Sequence, residues 1–315
     1  MKVGGQRNYG RGRTLGYAIR NILLDRYGRG NYGTRHTNRN RLVHFESYLG
    51  TRGIRDLREV SVATVLEYAA YLKDAVKDDH LALATAVNYL SCVNVLMQAA
   101  RGDQRCAVSP ADTIGRRSRA RVSAPQGLEM TTVWSAAEKA RDEGHFDLAV
   151  AIAVCRLAGA RIREAALLDI RRAATSIARW GVLTITRGSK GNRAKVIPRE
   201  IVVPARLGDW LAELGPRLPT RNLIAADETF NDWYQGAYSR YRPIAQQFGL
   251  HSGFHDLRAA WACDGYRLIT EFDAPCIAGR RIAGGDDDKG ARISLARDLG
   301  HSRIDVVSAY VGGRR

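Results

Sequence analysis

The segment FDLAVAIAVCRLA, residues 146–158, limits what this chain can fold into more than any other stretch. It is apolar at nearly every position, so as a helix it has no face suited to water and must be enclosed on most sides. Residues 128–315 supply the enclosing layers, and most of them read as further helices joined by loops. The exception is WGVLTITRGSKGNRAKVIPRE, residues 180–200. There Leu183 and Ile185 alternate with Thr184 and Thr186, a GSKGN turn follows, and Val196–Ile197 continue a second strand, which is a β-hairpin pattern. The expected fold of this half is mixed α/β, mostly helical with one small antiparallel sheet.

The half before it reads as mainly α. Ser61 precedes Val62, Val65, Leu66, Ala69 and Leu72, one face of an amphipathic helix with its N-cap. Leu83, Val87, Leu90, Val93 and Met97 mark another, and residues 36–108 suit a small helical bundle. Residues 109–127, SPADTIGRRSRARVSAPQG, read as a linker between domains, and Arg116, Arg117, Arg119 and Arg121 could lie along a phosphate backbone. Residues 1–35 form a basic, glycine-rich arm in which arginines alternate with Tyr9, Tyr17, Tyr27 and Tyr32. That composition suits base stacking and phosphate neutralisation, and equally a solvated terminus.

Charge narrows the partners. Lys and Arg number 49 against 32 acids, a net charge of +17. Such an excess attracts polyanions, and the planar arginine fork suits phosphate oxygens. The start, MKVGGQRNYGRGR, has no apolar core of a secretory signal, and no run approaches the roughly 20 apolar residues of a membrane span. Five scattered cysteines without a CxxC pair indicate reduced thiols rather than a disulfide frame or a zinc site. A cytoplasmic, nucleoid-associated protein with no membrane partner is expected.

Four stretches of the second half carry hydrogen-bonding and cationic groups. In AGARIREAALL, Arg161 opens a helix and Glu164 lies one turn on, placed to steady the guanidinium. Lys190 sits at the hairpin tip. In HDLR, His255 and Arg258 share a helical face. In LGHSRIDVVSAYVGGRR, Ser302 reads as the N-cap of a short helix, with His301 in the turn before it and Tyr310 near its end.

In this order, Arg161 with Glu164, Lys190, His255 with Arg258, His301 and Tyr310 resemble the tyrosine recombinase, or phage integrase, family. The resemblance spans 128–315 and extends more loosely to 36–108, where the family has a helical core-DNA-binding domain. It implies a catalytic domain over 128–315 and a site-specific DNA recombinase that joins DNA to Tyr310 through a 3′-phosphotyrosine linkage. In that chemistry Arg161 and Arg258 neutralise the phosphate, His255 accepts the phenol proton, His301 bonds the phosphate and Lys190 protonates the departing 5′ oxygen. No metal and no cofactor is implied. The partners implied are double-stranded DNA and further copies of the chain, a dimer on a site and a tetramer in synapsis, with or without accessory DNA-bending proteins. A type IB topoisomerase-like nicking-closing enzyme and a catalytically silent DNA-binding relative share these features.

The chain departs from the family pattern in three places. The spacing between Arg258 and Leu299 is long, and EFDAPCIAGRRIAGGDDDKGAR, residues 271–292, reads as an inserted loop whose aspartates are solvated. Only VGGRR follows Tyr310, where many relatives continue into a helix that docks on a neighbouring subunit. Ala259 and Ala260 follow HDLR where relatives often have another histidine.

Overall fold

The computed structural model describes residues 6–188 and 198–314. The chain divides into two compact units, Met1–Ser118 and Arg119–Arg315. The boundary falls inside the stretch read as a linker.

The first unit is a helical bundle of α1 (Leu15–Tyr27), α2 (Tyr32–Thr51), α3 (Val62–Lys77), α4 (Leu83–Arg101) and the single turn α5 (Pro110–Thr113). Ser61 caps α3 as expected: its hydroxyl accepts the Thr64 amide while the Thr64 hydroxyl takes the Ser61 amide. The buried stripe of α3 is Val65, Tyr68, Ala69 and Leu72. Val62 and Leu66, read as part of that face, are exposed. Helix α4 is 19 residues long and, by length and a mean hydropathy of 1.2, apolar enough to cross a membrane, which corrects the reading that no run approaches a span. It packs on α1, α2 and α3, and Ala86, Leu90, Val93, Leu96 and Met97 bury within the core of this unit.

The arm reading of residues 1–35 needs correction. Leu15, Ala18, Ile19, Ile22 and Leu23 of α1 are core residues. Ahead of α1, Asn8 is fully buried and takes the Leu57 amide on its Oδ1 at 2.8 Å while its own amide donates to Asp56 at 2.8 Å. Glycine and arginine dominate the composition, yet the apolar residues at helical spacing decide the structure.

The second unit runs through α6 (Met130–Asp142), α7 (Phe146–Leu157), α8 (Ile162–Ala166), α9 (Ile170–Trp180), β1 (Val182–Ile185), β2 (Arg199–Val202), α10 (Ala205–Leu214), α11 (Phe230–Gln247), α12 (Phe254–Thr270), α13 (Pro275–Ala278), α14 (Gly285–Asp298), a 3₁₀ turn (Ile304–Val307) and α15 (Ser308–Val311). The apolar segment forms α7, and every residue from Leu148 to Leu157 is buried beneath α6, α8, α10, α11 and α12. The strands pair antiparallel, Val182 with Val202 and Ile185 with Arg199. The second strand begins at Arg199; Val196–Ile197 and the hairpin tip with Lys190 lie outside the described residues. The fold class is as expected, mainly α with one small antiparallel sheet.

Residues 271–292 are not a loop. They form α13 and the first half of α14, and Asp288 is buried rather than solvated. Near the end of the chain, Arg303 rather than Ser302 precedes the 3₁₀ turn, because the backbone runs extended through Arg303 and sets Ser302 outside it.

Candidate active site

Glu164 organises the centre of the second unit. Arg161 ends an extended step and α8 begins behind it, so Glu164 at the third helical position folds back on the helix start. Its Oε2 accepts the Arg161 amide at 2.8 Å and its Oε1 accepts the Arg161 guanidinium at 2.7 Å. The same carboxylate takes the Arg199 guanidinium at 2.7 Å and lies 3.6 Å from Arg258. Burial alone would push this carboxyl up. The hydrogen bond and charge of Arg199, with those of Arg161, more than reverse it and hold Glu164 at about 2.

Arg258, one turn after His255 on α12, is only 1% exposed. Its Nη1 donates to the Gly159 carbonyl, its Nη2 to the Leu299 carbonyl at 2.6 Å, and its Nε to the Tyr310 hydroxyl at 3.3 Å. Burial lowers Arg258 to about 10, so it stays charged at neutral pH. One guanidinium therefore ties together the end of α7, the end of α14 and the phenol.

Tyr310 on α15 is 4% exposed. Its hydroxyl also lies 3.2 Å from His301 Nε2, and the same nitrogen lies 3.3 Å from an Arg161 Nη2. A guanidinium only donates, so Nε2 turns its lone pair toward Arg161, and the phenol hydroxyl lies within hydrogen-bond distance of the same nitrogen. The electrostatics agree: burial, then the charges of Arg161, Arg258 and Arg199, lower His301 to about 4 and keep it neutral. His301 follows Gly300, whose φ of +66° suits glycine and where a Cβ would run into the Arg199 guanidinium. His255 stands at the surface with its ring centroid 5.2 Å from that of Tyr310. The phenol hydroxyl hydrogen-bonds His301, and the His255 ring lies beside the phenol ring.

Arg161, Arg258, Glu164, His255, His301 and Tyr310 thus converge from α8, α12, the turn after α14, and α15. The linker arginines differ in their surroundings. Arg116 and Arg119 are exposed, whereas Arg117 donates to Asn88 at 3.0 Å. Arg121 pairs with Asp256 at 2.8 Å and donates to the Ser123 carbonyl at 2.8 Å.

Residues 14–114 match the model of the phage integrase SAM-like domain. No sequence among the curated proteins matches the chain. Among solved structures, it is similar to a lambda integrase dimer bound to a COC′ core site, at 16% identity over 95% of this chain and 77% of that one, with a TM-score of 0.58. It is also similar to the Tn1549 transposon integrase in complex with transposon right end DNA, at 14% identity over 94% and 95%, TM-score 0.58. A lambda integrase tetramer bound to a Holliday junction matches at 17% identity over 93% and 78%, TM-score 0.56. The fold is that of the tyrosine recombinases.

Within this tyrosine recombinase fold, sequence reasoning missed Arg199. It sits at an inward position of β2, opposite Ile185 and two residues before buried Ile201, and it reaches Glu164. An arginine at an inward register position, where neighbours are apolar, was the available signal, since a buried guanidinium demands a carboxylate.

Proposed function

We propose that this chain is a site-specific DNA recombinase or integrase of the tyrosine class, cutting and rejoining DNA for the integration, excision or resolution of a mobile element. One observation carries the reading: the Tyr310 hydroxyl meets Arg258 Nε at 3.3 Å and His301 Nε2 at 3.2 Å, with Arg161 Nη2 3.3 Å from that same nitrogen. A phenol ordinarily keeps its proton to about pH 10, so as a nucleophile it needs an acceptor and a nearby positive charge.

In this reading the Tyr310 oxygen attacks phosphorus and its proton passes to His255, whose ring lies beside the phenol ring with centroids 5.2 Å apart, while His301 hydrogen-bonds the phenol oxygen. The bond from phosphorus to the 5′ oxygen breaks, Lys190 protonates that oxygen, and a 3′-phosphotyrosine linkage remains. Attack by a free 5′ hydroxyl on the linkage reverses these steps and rejoins a strand. Arg161, with 18% of its side chain exposed, is the guanidinium an incoming phosphate meets first. Arg258, buried, steadies the phenol and the developing charge. The net charge of +17 and the DNA-bound solved structures of this fold favour double-stranded DNA as substrate. The dimer and tetramer described for lambda integrase favour the same assemblies here.

The test is a DNA duplex nicked beside the cleavage point, from which the short 5′-hydroxyl fragment diffuses away. The chain should be trapped as a covalent adduct on denaturing gels, and mass spectrometry should place the nucleotide on the peptide carrying Tyr310. An adduct on any other residue ends the reading. Separately, DNA affinity should fall steeply between 50 and 200 mM salt, on the order of 10²-fold or more, because phosphate contacts release counterions. A salt-independent affinity contradicts the DNA assignment.

A further inference from the structure

The nucleophile's helix is too short to hold itself. Helix α15 has four residues, Ser308–Val311, and a single turn in isolation is unfavourable. Something outside it must fix the phenol.

Arg292, on α14, is fully buried. Its Nη1 donates to the Ser308 hydroxyl at 3.2 Å and to the Gly312 carbonyl at 3.1 Å, and its Nη2 donates to the Gly313 carbonyl at 3.0 Å. These three acceptors lie on both sides of Tyr310 in the chain. The back of the guanidinium is held by Asp288, whose two oxygens accept Nε at 2.9 Å, and Tyr266 of α12 donates its hydroxyl to Asp288 at 2.9 Å. A second contact closes the other flank. Gly312 has φ +98°, and a Cβ there would meet the Cys276 amide and Pro275 at the start of α13. Beneath the turn, the thiols of Cys263 and Cys276 donate to the Tyr310 carbonyl at 3.7 and 3.5 Å.

We propose that Arg292 is a positioning residue for Tyr310, and that residues 271–292 form the dock that holds the nucleophile's turn against its own chain. This rests on the reading of Tyr310 as nucleophile. A planar fork is needed, because a lysine can satisfy Asp288 but cannot bridge Ser308, Gly312 and Gly313 together. Misplacing a reacting atom by about 1 Å costs on the order of 10²-fold in rate.

The experiment compares single-turnover adduct formation on the nicked duplex at saturating DNA for the wild-type chain, Arg292→Met, Arg292→Lys and Gly312→Ala. Gly312→Ala disturbs the same turn without leaving Asp288 unpaired, so it covers the case in which Arg292→Met folds poorly. Reactivity of Cys263 and Cys276 toward a thiol reagent, read by mass spectrometry, reports release of the turn independently of chemistry. Expected are an unchanged DNA dissociation constant, roughly 10²-fold slower cleavage for Arg292→Met and Gly312→Ala, partial recovery with lysine, and faster labelling of both thiols. Cleavage at the wild-type rate in both variants, or thiols as protected as before, overturns the positioning role. A wild-type chain that forms no adduct overturns the nucleophile reading first, and the positioning role with it.

Discussion

A Tyr310→Phe chain is expected to bind DNA with parental affinity and to form no covalent adduct on the nicked duplex. The substitution removes one oxygen and keeps the ring, which is packed with Val307, Val311, Cys263 and Cys276 in the core of the terminal part of the second unit. The loss of shape is small. Two hydrogen bonds disappear, to Arg258 at 3.3 Å and to His301 at 3.2 Å. One of them leaves the buried Arg258 Nε without its acceptor, at a cost of about 1–3 kcal/mol. Arg258 still holds the Gly159 and Leu299 carbonyls, so the frame of the site stays in place. A small decrease in stability with complete loss of adduct is the signature of a missing nucleophile. Any adduct from the phenylalanine chain would mean that another side chain attacks phosphorus, and residual cleavage without adduct would mean that water does. Both measurements use the same nicked duplex and the same denaturing gel.

The local parts of this site could be read from the sequence. Arg161 with Glu164 and His255 with Arg258 are spaced by one helical turn, and such pairs announce themselves. The hydrophobic run at 146–158 announced α7 in the same way. What sequence could not supply was the set of partners assembled by tertiary packing. Glu164 binds Arg161 three residues away, and it also binds Arg199, whose approach depends on β2 pairing with β1. The hydrogen bond between His301 and the phenol depends on where the end of α14 sets Gly300, which no spacing reveals. Two misreadings had visible remedies. Leu15, Ile19, Ile22 and Leu23 repeat at helical spacing within the stretch read as an arm. Asp288 and Arg292 stand four apart within the stretch read as a solvated loop, and composition outweighed that spacing.

Glu164→Gln is the substitution expected to cost most in stability. The wild-type carboxylate is fully enclosed and accepts from the Arg161 amide and from the guanidiniums of Arg161 and Arg199, with that of Arg258 close by. Glutamine has nearly the same shape but one oxygen instead of two, and its NH₂ group points a donor at groups that only donate. The buried guanidiniums of Arg199 and Arg258, and the partly exposed one of Arg161, then lose the carboxylate they share. Removing one partner of a buried ionic cluster typically costs about 3–5 kcal/mol, because the charges left behind stay desolvated. The pH dependence identifies the cause. Glu164 is held at about 2 against an ordinary 4.5. A carboxyl depressed on folding stabilises the folded state above its unfolded value and loses that contribution as pH falls toward its folded value; this shift corresponds to ~3 kcal/mol. The stability difference between the wild-type chain and Glu164→Gln, read from urea midpoints of the second unit, should therefore be full at pH 7 and shrink as pH falls from about 4.5 toward 2. A difference that stays constant over that range would assign the loss to packing, and Glu164 would not be the charge that holds the three arginines together.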